Sequence, residues 1–383
     1  MKIYLHIGAA KCASSTIQNY FSYNNTAEEF MYGCLRETGE IIRGDDLKRS
    51  AIISTANYAV SSTCKNIDNN SFIQKLSSEM SELSATFDRV LLSCENWTQN
   101  YNFFERIKKA FQGHDLFIIF IVRPPVQWMN SSWWQWQQWE DIDLDSWVKN
   151  TNVAKSWLAA CENYSSLDFV KKIHVLSLQK NILEQVGSIL GVGIGDKEKK
   201  HNSSSSGELL RFLKMKRGLR VGAHDPHSEF VLNKYVSPRS KADWVLTYDN
   251  VKIIIDSSRA HCLELSKLVE NENLLDNYAW WNVDYYIESI ETVNFNTSVS
   301  YDLLADMLEE AYQIIIDMDV RSRRYELDQE QVTIIRDVAL GLENISLENS
   351  YRLMKVVSRF RPNGPLVKMK LKEYKEKLNN SSR

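Results

Sequence analysis

Three short apolar runs constrain this chain more than any other feature. Lys2–Ile7, Arg89–Ser93 and Leu116–Val122 are almost continuously hydrophobic, rich in β-branched residues, and bounded by polar segments. Runs of this length and composition fit strands buried on both faces, as in a parallel sheet. Ile173–Leu178 is a fourth candidate. Between them the apolar spacing turns helical, over Ser14–Tyr23, Asn70–Ser84 and Tyr101–Phe111. Strands alternating with helices predict an α/β layer with a parallel sheet flanked by helices.

Beyond about residue 205 the strand signal fades. Gly207–Arg217, Asn250–Val269, Tyr301–Asp317, Gln329–Leu342 and Leu347–Arg359 have helical spacing, so the C-terminal part is expected to be mainly helical. The expected division is a domain over 1–320, with a core over 1–205 and a helical part over 206–320, followed by a basic tail over 321–383. Between Arg352 and Arg383 there are ten Lys or Arg and two Asp or Glu. Arg361-Pro362-Asn363-Gly364-Pro365 divides that stretch into two helices.

Bulk properties narrow the function classes. The 383 residues carry a formal net charge of −3, which does not suit a nucleic-acid binder. Hydrophobic residues make up 44% and charged residues 25%, a globular profile. The six cysteines, at 12, 34, 64, 94, 161 and 262, form no CxxC pair and no zinc spacing, so free thiols are expected. Leu116–Val122, the longest strongly apolar run, is too short to span a bilayer. The start reads as a strand running into a turn rather than as a targeting segment.

Ile7-Gly8-Ala9-Ala10-Lys11-Cys12-Ala13-Ser14-Ser15-Thr16 joins the first strand to the first helix. Small residues let the backbone curl around an anion, while the helix start supplies free amides and the positive dipole end. Lys11 adds a point charge, and Ser14, Ser15 and Thr16 add hydroxyl donors. The pattern is not a Walker A loop, because no glycine precedes Lys11 directly. Read alone, it also fits an ordinary Ser/Thr helix cap. A second motif, Arg123 with Ser131 eight positions later, follows the strand Leu116–Val122. A guanidinium can fork onto phosphate oxygens while a serine at the start of the next helix donates to the same group. A third, Ser93-Cys94-Glu95, ends the strand Arg89–Ser93 and puts a carboxylate just beyond it.

Together these segments resemble the 3′-phosphoadenosine 5′-phosphosulfate (PAPS)-dependent sulfotransferases, in particular bacterial carbohydrate sulfotransferases. HIGAAKCASSTIQ looks like their 5′-phosphosulfate loop, commonly HIGxxKTGTTSIQ. Lys11 falls on the loop lysine, and Ser14 and Ser15 on the Thr-Thr pair. Cys12 replaces a Thr or Ser and Ala13 replaces a Gly; a Cβ at 13 resists left-handed backbone. Arg123 and Ser131 match the spacing of the 3′-phosphate signature. The resemblance is specific over about residues 1–135 and weak to about 320. Lys200-His201-Asn202-Ser203-Ser204 is similar to a segment preceding a helix in bacterial members.

The resemblance implies a P-loop-like fold and transfer of a sulfuryl group from PAPS to a hydroxyl of a carbohydrate, such as a bacterial surface glycan or its precursor. PAPS would lie against Lys11, Cys12, Ala13, Ser14, Ser15, Thr16, Arg123 and Ser131, with no metal. Lys11 would stabilise the leaving group. Glu95 is the first choice for the base that takes the acceptor proton; His6 is the main competitor, and Glu28 and Glu29 are weaker ones. A small-molecule kinase on a related fold would need Mg²⁺ ligands and a Walker lysine. A non-catalytic glycan-binding protein is the other alternative.

Three further expectations follow. Seven of the eleven tryptophans lie between 128 and 157. Trp128, Trp133, Trp134, Trp136 and Trp139 are too many for one helix face, so some should face outward, where rings stack on sugars, while packing against the C-terminal helices is the preferred reading for any one of them. A cytoplasmic location suits the unpatterned cysteines, the absence of an anchor and the sequon Asn130-Ser131-Ser132 inside a binding turn. Lys368, Lys370, Lys372, Lys375 and Lys377, interspersed with Leu366, Val367, Met369, Leu371 and Leu378, form either an ordinary solvated helix or a weak contact with an anionic membrane at its inner face.

Overall fold

The computed structural model describes all residues except 28, 55, 65–69, 141, 196–204, 221, 236–242, 294–303, 306, 310, 313, 315, 317–326 and 382–383. The strands are β1 (Lys2–Gly8), β2 (Thr26–Ala27), β3 (Phe30–Leu35), β4 (Ile41–Ile42), β5 (Arg89–Ser93), β6 (Asp115–Val122) and β7 (Val170–Ser177). They form one sheet in the order β2-β3-β5-β1-β6-β7, with β4 paired to β3. The pairs β3·β5, β5·β1, β1·β6 and β6·β7 are parallel. Only the short β2 and β4 pair antiparallel. The expected α/β layer is therefore observed.

The helices between strands are α1 (Ser14–Tyr23), α2 (Gly44–Ile53), α3 (Asn70–Ser84), α4 (Tyr101–Ile107), α5 (Pro125–Gln135), α6 (Leu144–Asn150) and α7 (Val153–Ser165). After β7 come α8 (Ile182–Leu190), α9 (Gly207–Met215), α10 (His227–Tyr235), α11 (Tyr248–Ser266) and α12 (Ile287–Glu291). Ile3, Leu5 and Ile7 of β1 and the run Ile118–Val122 of β6 are at most 1% exposed, the signature of strands covered on both faces. Each such side chain contributes on the order of 1.5–3 kcal/mol by leaving water.

The four strands expected from sequence match β1, β5, β6 and β7 in place, β7 being longer by three residues at its start. β2, β3 and β4 carry too little local signal. β2 and β4 have two residues each, and β3 (FMYGCL) is interrupted by Gly33. A Cβ on Gly33 would lie 2.6 Å from Ile41 Cγ2, so the glycine is there for the close approach of β4.

The chain divides into two compact units, Met1–Leu304 and Ala305–Arg383. The second contains α13 (Gln329–Gly341), α14 (Leu347–Phe360) and α15 (Pro365–Ser381), packed around Val332, Ala339, Met354, Val357, Val367 and Tyr374. About half of the helix expected over 301–317 lies outside the described residues. On α15, Lys370 pairs with Glu343 and Glu373, and Lys377 with Glu373. Val367 is buried and Leu371 packs against the same core. Leu366 and Met369 are exposed. The apolar residues interspersed with these lysines are thus split, part of them holding this unit together. No helix among the described residues is long and apolar enough to cross a membrane.

His6 lies inside β1 with no exposed surface, its Nδ1 2.7 Å from Ser93 Oγ on the neighbouring strand. Gln18 of α1 donates to the same hydroxyl at 3.0 Å. Burial pushes the imidazole down from 6.5 to about 4. A histidine held neutral contributes stability that is complete above about pH 6.5 and lost as pH falls towards 4, where the unfolded chain binds the extra proton. Stability at pH 5 should be lower than at pH 7.5 by about 2 kcal/mol from this group. His6→Asn should flatten that part of a urea-denaturation pH profile. An equally steep profile in the variant would assign the loss to other groups.

Candidate active site

Three chain segments leave the sheet side by side. β1 lies between β5 and β6, with His6 level with Ser93 on one side and Ile119 on the other. Lys11 follows β1, Glu95 follows β5 and Arg123 follows β6, so the three charged groups emerge at the carboxyl ends of three adjacent strands. Chain order reverses around β1, since β3 and β5 lie on one side of it and β6 and β7 on the other. Ligands of open α/β sheets bind at such a point.

The loop from β1 to α1 is tightly wound. Gly8 has φ +120°, and a Cβ there would come within 2.8 Å of Thr98 Oγ1 and 2.9 Å of the Glu95 carbonyl. Glycine is needed for both reasons. Thr98 donates to the Ile7 carbonyl at 2.5 Å, tying the end of β1 to the 3₁₀ turn Glu95–Gln99. Lys11 and Ala13 have φ of 62° and 67°, and the intervening Cys12 does not share the left-handed conformation. This alternation curls a backbone so that its amides converge, forming an anion nest. The amides of Ala9, Cys12, Thr16 and Ile17 are used within the loop or by the strand beside it. Those of Ala10, Lys11, Ala13, Ser14 and Ser15 have no acceptor among the described residues. Ala13 thus adopts the left-handed conformation that its Cβ disfavours.

Lys11 donates from Nζ to Gln135 Oε1 at 3.1 Å. Burial pushes its ammonium pKa down, Glu95 holds it up, and Arg123 and Arg220 push it down further. Glu95 is half-buried at the head of its 3₁₀ turn. Burial raises its carboxyl pKa, while Lys11 and the Ser14 hydroxyl pull it back. The two groups therefore share one electrostatic environment, each favouring the other's charge. A carboxyl raised above its usual range beside a lysine is suited to proton transfer.

Arg123 donates from one terminal nitrogen to the Lys11 carbonyl at 3.1 Å and from the other to Gln127 Oε1 at 3.4 Å. Its buried Nε has no partner among the described residues. An unpaired buried donor beside a loop of free amides fits an oxyanion group. Ser131 lies in the second turn of α5, not at its start, so it is not part of the helix N-terminus. Trp128, Ser131 and Gln135 follow one another at i, i+3 and i+7 and therefore share a face. Trp128 donates to the Ala10 carbonyl at 2.8 Å and Gln135 holds Lys11. Ser131, half-buried, lies between them on that face.

Other expected contacts are placed differently. The Cys12 thiol is fully buried and pushed up to about 12, and its amide bonds the Ala9 carbonyl, so Cys12 shapes the loop without offering a donor. Thr16 is exposed and its amide bonds the Ala13 carbonyl. Ser14 is buried and donates to the Ala9 carbonyl at 3.3 Å. Ser15 lies 3.3 Å from the Tyr58 hydroxyl. His6 is enclosed beneath the loop, out of reach of an acceptor. Glu29 pairs with Arg89 at the opposite end of β5 from Glu95, and Glu28 lies outside the described residues. So does the Lys200–Ser204 segment.

The tryptophans do not form an outward platform. Trp133, Trp134 and Trp139 are buried, and Trp128 and Trp136 are half-buried against each other with ring centroids 6.3 Å apart. Their indoles bond backbone carbonyls: Trp134 bonds Asp243 at 2.7 Å and Trp139 bonds Trp134 at 3.1 Å. Sequence reasoning missed several groups that the fold brings here. Arg220, fully buried, pairs with Glu229, bonds the Gln135 carbonyl at 2.5 Å and lies 4.1 Å over the Trp139 ring. Tyr58 and Thr98 are others. Only the i, i+7 spacing of Trp128 and Gln135 was a local signal; Arg220 and Tyr58 had none.

Beside Glu95 opens a cleft of about 640 Å³. Its walls come from α1 at Gln18, the end of β3 at Arg36 and Glu37, the segment Tyr58–Thr63, and Cys94, Glu95 and Asn96.

No protein-family model matches the chain. No curated protein matches it either. A solved structure described as a sulfotransferase from Alicyclobacillus acidocaldarius is similar over 56% of this chain and 91% of that one, at 13% identity and a TM-score of 0.30.

Left-handed alanine costs on the order of 1–2 kcal/mol, part of which glycine's greater unfolded-state freedom offsets. Ala13→Gly should therefore raise stability by about 0.5–1 kcal/mol in chemical denaturation. A loss of stability would mean that the left-handed turn at 13 is not the resting form of the loop.

Proposed function

We propose that the protein transfers the sulfuryl group of PAPS to a hydroxyl of a carbohydrate acceptor. The observation that carries this reading is the convergence of Lys11, Glu95 and Arg123 at the carboxyl ends of β1, β5 and β6, around a loop with five unused amides. Such a cradle suits a dianionic phosphosulfate, and Arg123, with a buried unpaired donor, suits the 3′-phosphate. Ser131 supports the same phosphate from α5.

In the reaction, the bond from sulfur to the oxygen bridging to phosphorus breaks as a bond from sulfur to the acceptor oxygen forms. Glu95 accepts the acceptor's proton. Lys11 balances the charge that collects on the departing adenosine 3′,5′-bisphosphate. Burial raises the carboxyl's pKa and so makes it a stronger base, while Lys11 and the Ser14 hydroxyl favour its ionised form. The acceptor, in this reading, is a surface glycan or its precursor, and the reaction takes place in the cytoplasm. Six buried, unpaired cysteines suit a reducing compartment.

Calorimetry should show binding of adenosine 3′,5′-bisphosphate and much weaker binding of ATP; the reverse preference would favour a kinase. Arg123→Ala should weaken binding of adenosine 3′,5′-bisphosphate by about 1.5–3 kcal/mol more than binding of adenosine 5′-phosphate. Equal losses on both nucleotides would remove Arg123 from the 3′-phosphate.

The rate of transfer should rise with pH through the ionisation of Glu95, at a midpoint above the usual carboxylate value of about 4.3. Glu95→Gln should lower turnover by roughly 10²–10⁴ and abolish that acid limb while leaving nucleotide affinity nearly intact. Parental turnover in the variant would exclude Glu95 as the base.

A further inference from the structure

We infer that Tyr58 couples the donor loop to the cleft beside Glu95, and that this cleft holds a neutral, polyhydroxylated sugar as acceptor. The inference rests on the transfer reading above and adds where the acceptor lies and which residue joins the two sites.

Tyr58 faces both ways. Its hydroxyl is 3.3 Å from Ser15 Oγ, in the first turn of α1 where the loop amides are free. Its side chain also lines the cleft that Glu95 enters. Glu95 lies near enough that its charge helps burial to raise the phenol pKa. Donor loop, acceptor cleft and candidate base thus meet at one ring.

The ring is held on a fixed mount. Asn57 takes a left-handed φ of 59°; its carbonyl accepts from Asn19 at 3.0 Å and its side-chain oxygen accepts from Tyr23 at 2.9 Å. The Ala59 amide donates to Ser22 at 2.9 Å, and the Ala59 carbonyl accepts from Tyr32 at 2.9 Å. Ser61 and Ser62 donate from their amides to the carbonyls of Ser93 and Leu35, at the ends of β5 and β3. Asn19, Ser22 and Tyr23 belong to α1, the helix whose first turn forms the loop. A displacement of that turn on anion binding therefore reaches Tyr58 through the Ser15 hydroxyl and through the helix itself.

The lining identifies the occupant. Gln18, Arg36, Glu37, Ser62, Thr63 and Asn96 supply donors and acceptors around one aromatic face. Arg36 offsets Glu37 and Glu95 adds one further carboxylate, so the wall has no excess positive charge that would select an anionic sugar. Vicinal hydroxyls are read by such mixed sets, and the volume suits one to three sugar rings. No tryptophan of the 128–157 cluster lines this cleft.

The test uses the full chain, adenosine 3′,5′-bisphosphate by calorimetry, and transfer of labelled sulfate to neutral di- and trisaccharides. Tyr58→Phe keeps the ring and removes the hydroxyl. It should weaken nucleotide binding about two- to tenfold, and the double variant with Ser15→Ala should bind no worse than Ser15→Ala alone. Glycan KM in Tyr58→Phe should stay within about twofold of the parent, whereas Tyr58→Ala should raise it about tenfold or more. Saturating glycan should change nucleotide affinity in the parent and not in Tyr58→Phe. Ser62→Trp, which fills the cleft, should raise glycan KM while leaving nucleotide binding intact.

Additive losses in the double variant, or a glycan KM indifferent to both Tyr58→Ala and Ser62→Trp, would overturn the inference. So would a parent that binds the nucleotide but sulfates none of the neutral sugars at roughly 10 mM. A parent that does not bind the nucleotide sinks the transfer reading itself, which separates the two failures.

Discussion

The parallel pairing of β1 between β5 and β6 is the constraint on which everything else rests. It buries Ile3, Leu5 and Ile7 on one face and Tyr4 and His6 on the other, and ends three strands at one level. Side chains just past those ends have nowhere to go but a common space. Lys11, Glu95 and Arg123 are more than a hundred residues apart at the extremes, yet each is one short loop from this edge. Gly8 and Thr98 set the spacing, since any Cβ at position 8 would push the Glu95 turn away. The base candidate is therefore placed by backbone packing together with the Ser14 hydroxyl.

That edge is electrostatically unbalanced in its resting form. Lys11, Arg123 and Arg220 influence one another; Glu95 offsets Lys11 and Glu229 pairs with Arg220, which leaves Arg123 without a carboxylate partner among the described residues. Burial disfavours the charged form of each, and left-handed turns at Lys11 and Ala13 add backbone strain. A fold tolerates such an arrangement when a ligand supplies the missing negative charge. Trp128, Gln135 and Arg220 hold the loop from the α5 side, so the strain is supported by packing and does not relax it away.

The tryptophans show how composition can mislead. Their density raised an exposed sugar platform beside ordinary packing, and the rings pack on one another and on α7, with N–H groups turned to carbonyls, including one in the loop after β1. They stiffen the wall that carries Arg123 and Ser131. The polar cleft lies on the other side of Glu95, walled by the end of β3 and the segment after α2, where nothing in the sequence stood out.

The sequence by itself determined the parallel layer, through its unbroken apolar runs, and the positions of Lys11, Glu95 and Arg123 immediately after them. It also determined the small-residue loop. These are local properties: apolar run length, chain breaks, and residues adjacent to them. Only the tertiary structure decided that β5 and β6 flank β1, that His6 is sealed beneath the loop, and that Ser131 lies within α5 and not at its start. It alone brought Tyr58 to Ser15, Gln135 to Lys11 and Arg220 to the Gln135 carbonyl, across separations of 43, 124 and 85 residues. Contacts of that range leave no periodic trace in a single sequence, because they depend on which strands pair and not on how any one segment folds.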